Sequence, residues 1–410
     1  MQLSKEQQVL LNLIAMSISD NPDSLILSNE DLTGVNFITV AKESIFQAVN
    51  IQAYSQAYRY KDCVTEPVLN KWEEYAVSLT MSNLNVLTQQ NELVQILNES
   101  GYKYAIIKGT SSSTYYKNPS QRALGDVDFL IKREDKDAIE KLLVEKGYEK
   151  DAMAHSSHVI FKKPGAHLEM HFEIAGLPDN EYRDLIRKFV EPTVETAVEK
   201  ELESSKFLSP ISTYHGLIII LHTQHHMQAD GLGLRHLCDF AVFVSKTHKE
   251  EFWQKDLLPL LKKIGLYKFL CVMVNACVNY LKIPKPDWVI DFVEPTAKDV
   301  MLDVFTGGNL GKKDNVRSRS GMLIAQKGRK KRGALATLAV SLHKAVLLKY
   351  PIVKKWWILY PFVYTYKAIQ NVLRMIFGKR VSITQMAPEA KKRQNLYDKL
   401  EIYKTHTEDE

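Results

Sequence analysis

A chain of 410 residues is too long for one small fold and long enough for two or three packed units, since domains usually run to about 100–200 residues. Its 45% hydrophobic and 25% charged content is that of a folded globular protein and excludes a disordered or fibrous chain. The net charge of +6 is unevenly placed: residues 309–380 hold 17 Lys and Arg against one acid, Asp314, so the first 308 residues are net negative and the basic region reads as an appendage that seeks lipid phosphate or nucleic acid.

Apolar residues at helical spacing predict helices over 5–18, 40–57 and 68–99, so the first hundred residues form a helical region. The pattern then changes to a β-rich run, 104–107, stopped by Lys108-Gly109, and a second at 127–131. A helix over 134–146 closes on Gly147, which suits a left-handed cap. Two more strands, 159–162 and 167–174, are joined by Lys163-Pro164-Gly165-Ala166, which is turn chemistry. This order predicts a small mixed sheet with helices packed on it, an α+β core over 101–178.

Helices return over 182–203, 211–227, 233–247 and 256–281, giving a helical domain over 179–306 that closes a cleft, followed by a basic, amphipathic region over 307–410. The longest apolar run there, 356–366, is eleven residues with a proline inside, short of the roughly 20 that cross a bilayer. Cys63, Cys238, Cys271 and Cys277 are scattered with neither disulfide nor zinc-knuckle spacing, which predicts a reducing, cytoplasmic setting. The first residues show no basic segment, apolar run and cleavage site, so no export signal is expected.

Chemistry concentrates at Gly125-Asp126-Val127-Asp128. Two acids two apart at a strand start project from one face, about 6–7 Å apart. That spacing suits a pair of Mg2+ ions, which in two-metal enzymes lie about 3.5–4 Å from each other. Gly125 leaves the backbone open to a phosphate. On a later strand Glu169, His171 and Glu173 share a face, a polar stripe that a core strand does not carry without reason. Carboxylates beside the basic Lys108 and Arg122 are the apparatus expected for phosphoryl or nucleotidyl transfer.

The run Lys108-Gly109-Thr110, Tyr115-Tyr116, Pro119, Arg122-Ala123-Leu124-Gly125-Asp126-Val127-Asp128-Phe129-Leu130-Ile131, Gly147-Tyr148 and Leu168-Glu169-Met170-His171-Phe172 resembles the bacterial family of uncharacterised nucleotidyltransferases within the DNA polymerase beta-like superfamily. The resemblance implies transfer of a nucleoside monophosphate from a nucleoside triphosphate, ATP foremost, to a hydroxyl acceptor, with two Mg2+ ions and release of pyrophosphate. By carry-over Asp126 and Asp128 bind both metals. Glu169 binds the metal that activates the acceptor hydroxyl and takes its proton, and Gly109 and Thr110 line the triphosphate. Thr110 stands where the wider superfamily carries Ser or Gly. A toxin-type enzyme acting on tRNA or protein, and a non-catalytic nucleotide-sensing or membrane-surface scaffold, are the competing readings.

Outside the motif, His222 and His226 stand four apart on a helix, a zinc spacing that lacks the glutamate of a metalloprotease and that ordinary packing also produces. With His171, Arg235 and Asp239 they are candidates for the nucleotide or acceptor pocket. Residues 328–380 begin with Gly328-Arg329-Lys330-Lys331-Arg332 and continue with Trp356, Trp357, Tyr360, Phe362 and Tyr366. Cations mixed with interfacial aromatics suit a segment lying on an anionic membrane face; nucleic acid or plain packing are the alternatives.

Overall fold

The computed structural model describes residues 2–152, 155–229, 231–320, 343, 346, 347, 350, 353, 356–376 and 383–404. Helices α1 (Lys5–Ile18), α2 (Asn29–Leu32), α3 (Phe37–Phe46), α4 (Asn50–Ala57) and α5 (Glu66–Glu99) precede the first strand. The start of α1 is set by a capping box, in which the Ser4 side chain accepts from Gln7 N and the Gln7 side chain accepts from Ser4 N.

The single helix expected over 40–57 is two, because Ala48 takes a left-handed φ of 56° and breaks it. The cause is tertiary. Gln47 is fully buried and its amide donates to Glu43 Oε1 (2.9 Å) and Val304 O (3.2 Å), while its Oε1 accepts from Leu234 N (3.0 Å). Continuing the helix would turn this amide away from three buried polar groups, each costly to leave unmade.

The sheet contains β1 (Tyr104–Ile106), β2 (Val127–Ile131), β3 (Glu149–Lys150), β4 (His158–Lys163) and β5 (Ala166–His171), interleaved with α6 (Thr110–Ser113) and α7 (Lys136–Glu145). The order is β1-β2-β5-β4-β3, with β2 and β5 parallel and the other pairs antiparallel. Strand β5 ends at His171, three residues short of the expected 174. Glu173 therefore leaves the sheet face and is clasped, buried, by Arg183 (2.5 Å) and Arg187 (2.6 Å).

The helix expected over 182–203 stops early. Helix α8 (Arg183–Val190) is followed by a hairpin, β6 (Val198–Leu202) and β7 (Ser205–Ser209). Its Val-Glu-Lys-Glu-Leu stretch has ordinary helix formers, but Leu202 and Phe207 are buried in the core beneath the sheet and Gln90 of α5 donates to Ser205 Oγ (3.0 Å). Burial of an aromatic outweighs local propensity here.

Helices α9 (Ser212–Gln228), α10 (Leu234–Thr247), α11 (Leu258–Lys263), α12 (Tyr267–Leu281), α13 (Ala297–Gly307), α14 (Asn315–Ser320), α15 (Tyr360–Ile376) and α16 (Ile383–Lys399) follow. The helix expected over 256–281 is divided at Gly265, whose φ is +67° and where any Cβ would lie 2.4 Å from Lys404 O. Gly328 to Arg332 lie outside the described residues.

Among the described residues, two apolar cores result. One lies between the sheet, the C-terminal half of α5, α7 and the hairpin; the other joins α1, α3 and α4 to α9, α10, α12 and α13. Ile107 and Lys108, just after β1, and Arg122, before β2, line one small cavity with residues of α9 and α10. Among the described residues no helix is long and apolar enough to cross a membrane.

Candidate active site

The parallel register of β2 and β5 sets Asp128 directly opposite Glu169. Asp126 precedes β2 by one residue, and carboxylate oxygens of Asp126, Asp128 and Glu169 all lie within 4.8 Å of one another. Ile107 N donates to Asp128 O (3.1 Å), which prolongs the β1–β2 pairing and carries Lys108 onto the cluster. Lys108 Nζ lies 2.5 Å from Asp128 Oδ1, and His171 Nε2 lies 2.9 Å from the same oxygen and 3.4 Å from Glu169 Oε2.

These contacts divide the acids. The charge on Asp128, then burial, pushes Asp126 up to about 6. Burial also works against Asp128, but Lys108 and the His171 hydrogen bond outweigh it and hold that carboxyl far below its ordinary value. Glu169 is likewise disfavoured by burial yet ends below its ordinary value through its His171 hydrogen bond. Three acids are thus gathered with one strong cation among them, and Asp126 carries the residual strain. Hard, converging oxygen donors with incompletely neutralised charge fit divalent Mg2+; Asp126, Asp128 and Glu169 are the residues that would hold it.

The turn before the cluster requires its glycine. Gly109 has φ +46° and ψ −101°, a conformation L side chains rarely adopt, and Thr110 follows it as the buried first residue of α6. Arg122 is taken up by Asp239. Its Nε and Nη2 reach Asp239 at 3.0 and 2.6 Å, and Tyr116 donates to the same carboxylate at 2.7 Å. Both Asp239 oxygens are thereby occupied, so Arg122 and Asp239 join the sheet loop to α10. His171 is 1% exposed.

Arg235 is differently placed. It is half-buried, and among the described residues its guanidinium has no ion-pair partner. Burial and the nearby Arg122 pull its pKa below the ordinary arginine value. One of its terminal nitrogens lies 3.9 Å from where a Gly125 Cβ would stand. Together with Gly125, Asp126, Tyr75 and Lys312 it lines a cleft of about 590 Å³, of the size that takes a nucleotide or a small acceptor. His222 and His226 sit on α9 with their Nε2 atoms 2.8 Å apart, beside His236 of α10.

Sequence reasoning missed Asn83, Gln47 and Lys312, and it read Tyr116 only as part of the motif. Asn83 of α5 donates to Ser120 O and Arg122 O and accepts from Leu124 N (2.7 Å), holding the loop that presents Gly125. Gln47 supplies acceptors for Leu234 N and Arg235 N at the start of α10, where Gly233 offers no capping side chain. No local spacing rule links Tyr116 to a residue 123 positions away.

The family model described as an uncharacterised nucleotidyltransferase matches residues 40–282, more than half of the chain. The crystal structure of an antigenic nucleotidyltransferase-like protein from Paracoccidioides brasiliensis is similar at 16% identity over 48% of this chain and 93% of that one, with a TM-score of 0.29. No curated protein matches.

The raised Asp126 sets a sign for pH dependence. Its folded pKa of about 6 exceeds the ordinary 3.8, so the ion-free folded protein binds the extra proton and loses stability as pH rises through that interval. Asp126→Asn is expected to raise the melting temperature of ion-free protein at pH 7.5 and to change it much less at pH 5. Added Mg2+ is expected to stabilise the unmutated protein more at pH 7.5 than at pH 5. Differential scanning calorimetry that shows Asp126→Asn destabilised equally at both pH values contradicts this electrostatic account.

Proposed function

This chain belongs to the uncharacterised nucleotidyltransferase family, and from that premise we propose that it transfers a nucleoside monophosphate from a nucleoside triphosphate, ATP foremost, to a hydroxyl acceptor with two Mg2+ ions. The observation that carries the reading is the convergence of Asp126, Asp128 and Glu169 from two parallel strands. In the reaction the acceptor oxygen bonds to the α-phosphorus, the bond from that phosphorus to the pyrophosphate oxygen breaks, and the hydroxyl proton passes to a base. The bound ions supply Lewis-acid stabilisation of charge on the phosphoryl oxygens.

The chain's own groups take the other roles. Glu169 is the base: it is held ionised, is partly exposed, and with Asp126 and Asp128 would hold the ions. Lys108 neutralises Asp128 before the ions arrive, and its flexible ammonium then turns to the phosphate oxygens. Gly109 and Thr110 form the turn that admits the triphosphate. Arg235, a cation without a carboxylate partner on the wall of the cleft, and Lys312 bind the anionic end of the substrate. A toxin-type enzyme would share these groups and differ in the acceptor admitted between α5, α10 and the loop at 309–312. A scaffold without activity would have no use for a cluster whose charge is left this poorly compensated.

Incubated with each NTP and a panel of hydroxyl acceptors, the protein is expected to release pyrophosphate in a Mg2+-dependent manner. Asp128→Asn should lower the rate by about 100-fold or more, because metal and Lys108 lose their shared ligand. No release with any NTP, or release unchanged in Asp128→Asn, refutes the enzyme reading.

A second reading concerns location. Ile358, Phe362, Tyr366 and Ile369, each more than half exposed, fall at the spacing of one helix face along and just before α15, with Trp356 exposed beside them. A stripe of large apolar side chains facing water marks an interaction surface, and the surrounding excess of Lys and Arg selects an anionic bilayer face, at about 1 kcal/mol per cation near the surface. Vesicles containing phosphatidylserine should float with the full-length protein, and Phe362→Ser/Tyr366→Ser should release it. Flotation on neutral vesicles alone, or equal flotation of the double variant, contradicts this.

A further inference from the structure

We infer that His222, His226 and His236 form a second metal site, distinct from the carboxylate cluster, which takes one borderline transition-metal ion of the Zn2+ class. This goes beyond the transfer reaction proposed above and does not depend on it. His222 and His226 lie one turn apart on α9, and His236 sits in the first turn of α10, so three imidazoles from two helices converge. One ligand nitrogen from each lies within 4.8 Å of the others, and the nearest pair, His222 Nε2 and His226 Nε2, is 2.8 Å apart. Around a tetrahedral ion with Zn–N bonds of about 2.0–2.1 Å, nitrogens stand roughly 3.4 Å apart, a spacing these two distances bracket.

The ordinary alternative is a hydrogen-bonded histidine pair, and it accounts for one nitrogen on each of two rings. It leaves His236 Nδ1 buried without any partner, and it gives no reason for the third ring. Burial holds all three imidazoles well below the ordinary histidine pKa, so each keeps the lone pair that a metal requires. A void of about 20 Å³ lies against His222 and His236, enough for one ion or water and too small for a phosphate group.

Charge decides which ion suits the site. Of the neighbouring cations, Lys108 is matched by Asp128 and Arg122 by Asp239, while Arg235 is unmatched. An all-nitrogen site with a net positive neighbour rejects Mg2+, which demands oxygen ligands, and retains ions with strong affinity for imidazole. Three protein ligands leave a fourth position open, as in zinc sites that keep a water. The bound ion would tie α9 to the turn that carries Arg235.

The test uses full-length protein with Asp126→Asn/Asp128→Asn, which removes two of the three competing carboxylates, stripped with chelator and then titrated with Co2+ and Zn2+. One Zn2+ per chain by elemental analysis and the intense visible absorption of four-coordinate Co2+, displaced by Zn2+, are expected. His226→Ala and His236→Ala should each weaken Zn2+ by more than the about 10–100-fold that loss of an outer-shell partner costs. His158→Ala, which alters the other histidine cluster with Glu169 and His171, should bind as before. The absorption measured with all three histidines intact stands even if a variant fails to fold. Absence of both stoichiometric zinc and the Co2+ band, or loss of binding in His158→Ala with retention in His226→Ala, overturns the assignment.

Discussion

Mutual repulsion among Asp126, Asp128 and Glu169 is the constraint around which the protein is organised. Two unit charges about 4–5 Å apart interact by roughly 3–4 kcal/mol at an effective dielectric near 20, so three acids in one place cannot be held without compensation. Lys108, carried in at the end of β1, neutralises Asp128, and His171 hydrogen-bonds with it from β5, the strand whose parallel pairing with β2 sets Asp128 opposite Glu169. Compensation stops there. Asp126 is left with a raised pKa, which is the electrostatic signature of a place that accepts further positive charge.

The helical walls are fixed by polar contacts of long sequence separation. The Arg122–Asp239 pair, sealed by Tyr116, joins the loop before β2 to α10, and Gln47 caps α10 from the break between α3 and α4. Removing one partner of such a buried pair typically costs about 3–5 kcal/mol, far more than a surface pair contributes. Held within its first two turns, α10 presents Arg235 to the cleft.

Much of this was legible in the sequence, and the reasons for the rest are physical. The Gly-Asp-x-Asp spacing, the β-runs at 104–107 and 127–131 and the Gly109 turn are local, and period-2 geometry alone places both aspartates on one face. The α+β class followed from the order of the elements. The roles that depend on distant partners did not follow: nothing near Arg122 in sequence announces Asp239 as its partner, and the first hairpin strand, 198–202, looked helical because its Glu and Lys residues are good helix formers while Phe207 of the second strand finds its core across the fold. Glu173 shared the periodicity of Glu169 and His171, yet the strand ends before it and arginines from α8 claim it.

The central claim is that acids from two strands jointly hold divalent ions against a nucleotide. Electron paramagnetic resonance of the protein loaded with Mn2+ and a non-hydrolysable ATP analogue examines it directly. The account predicts two spin-coupled Mn2+ ions per chain, with one lost or markedly weakened in Glu169→Gln. Uncoupled or absent Mn2+, or a coupled pair indifferent to Glu169→Gln, would contradict it.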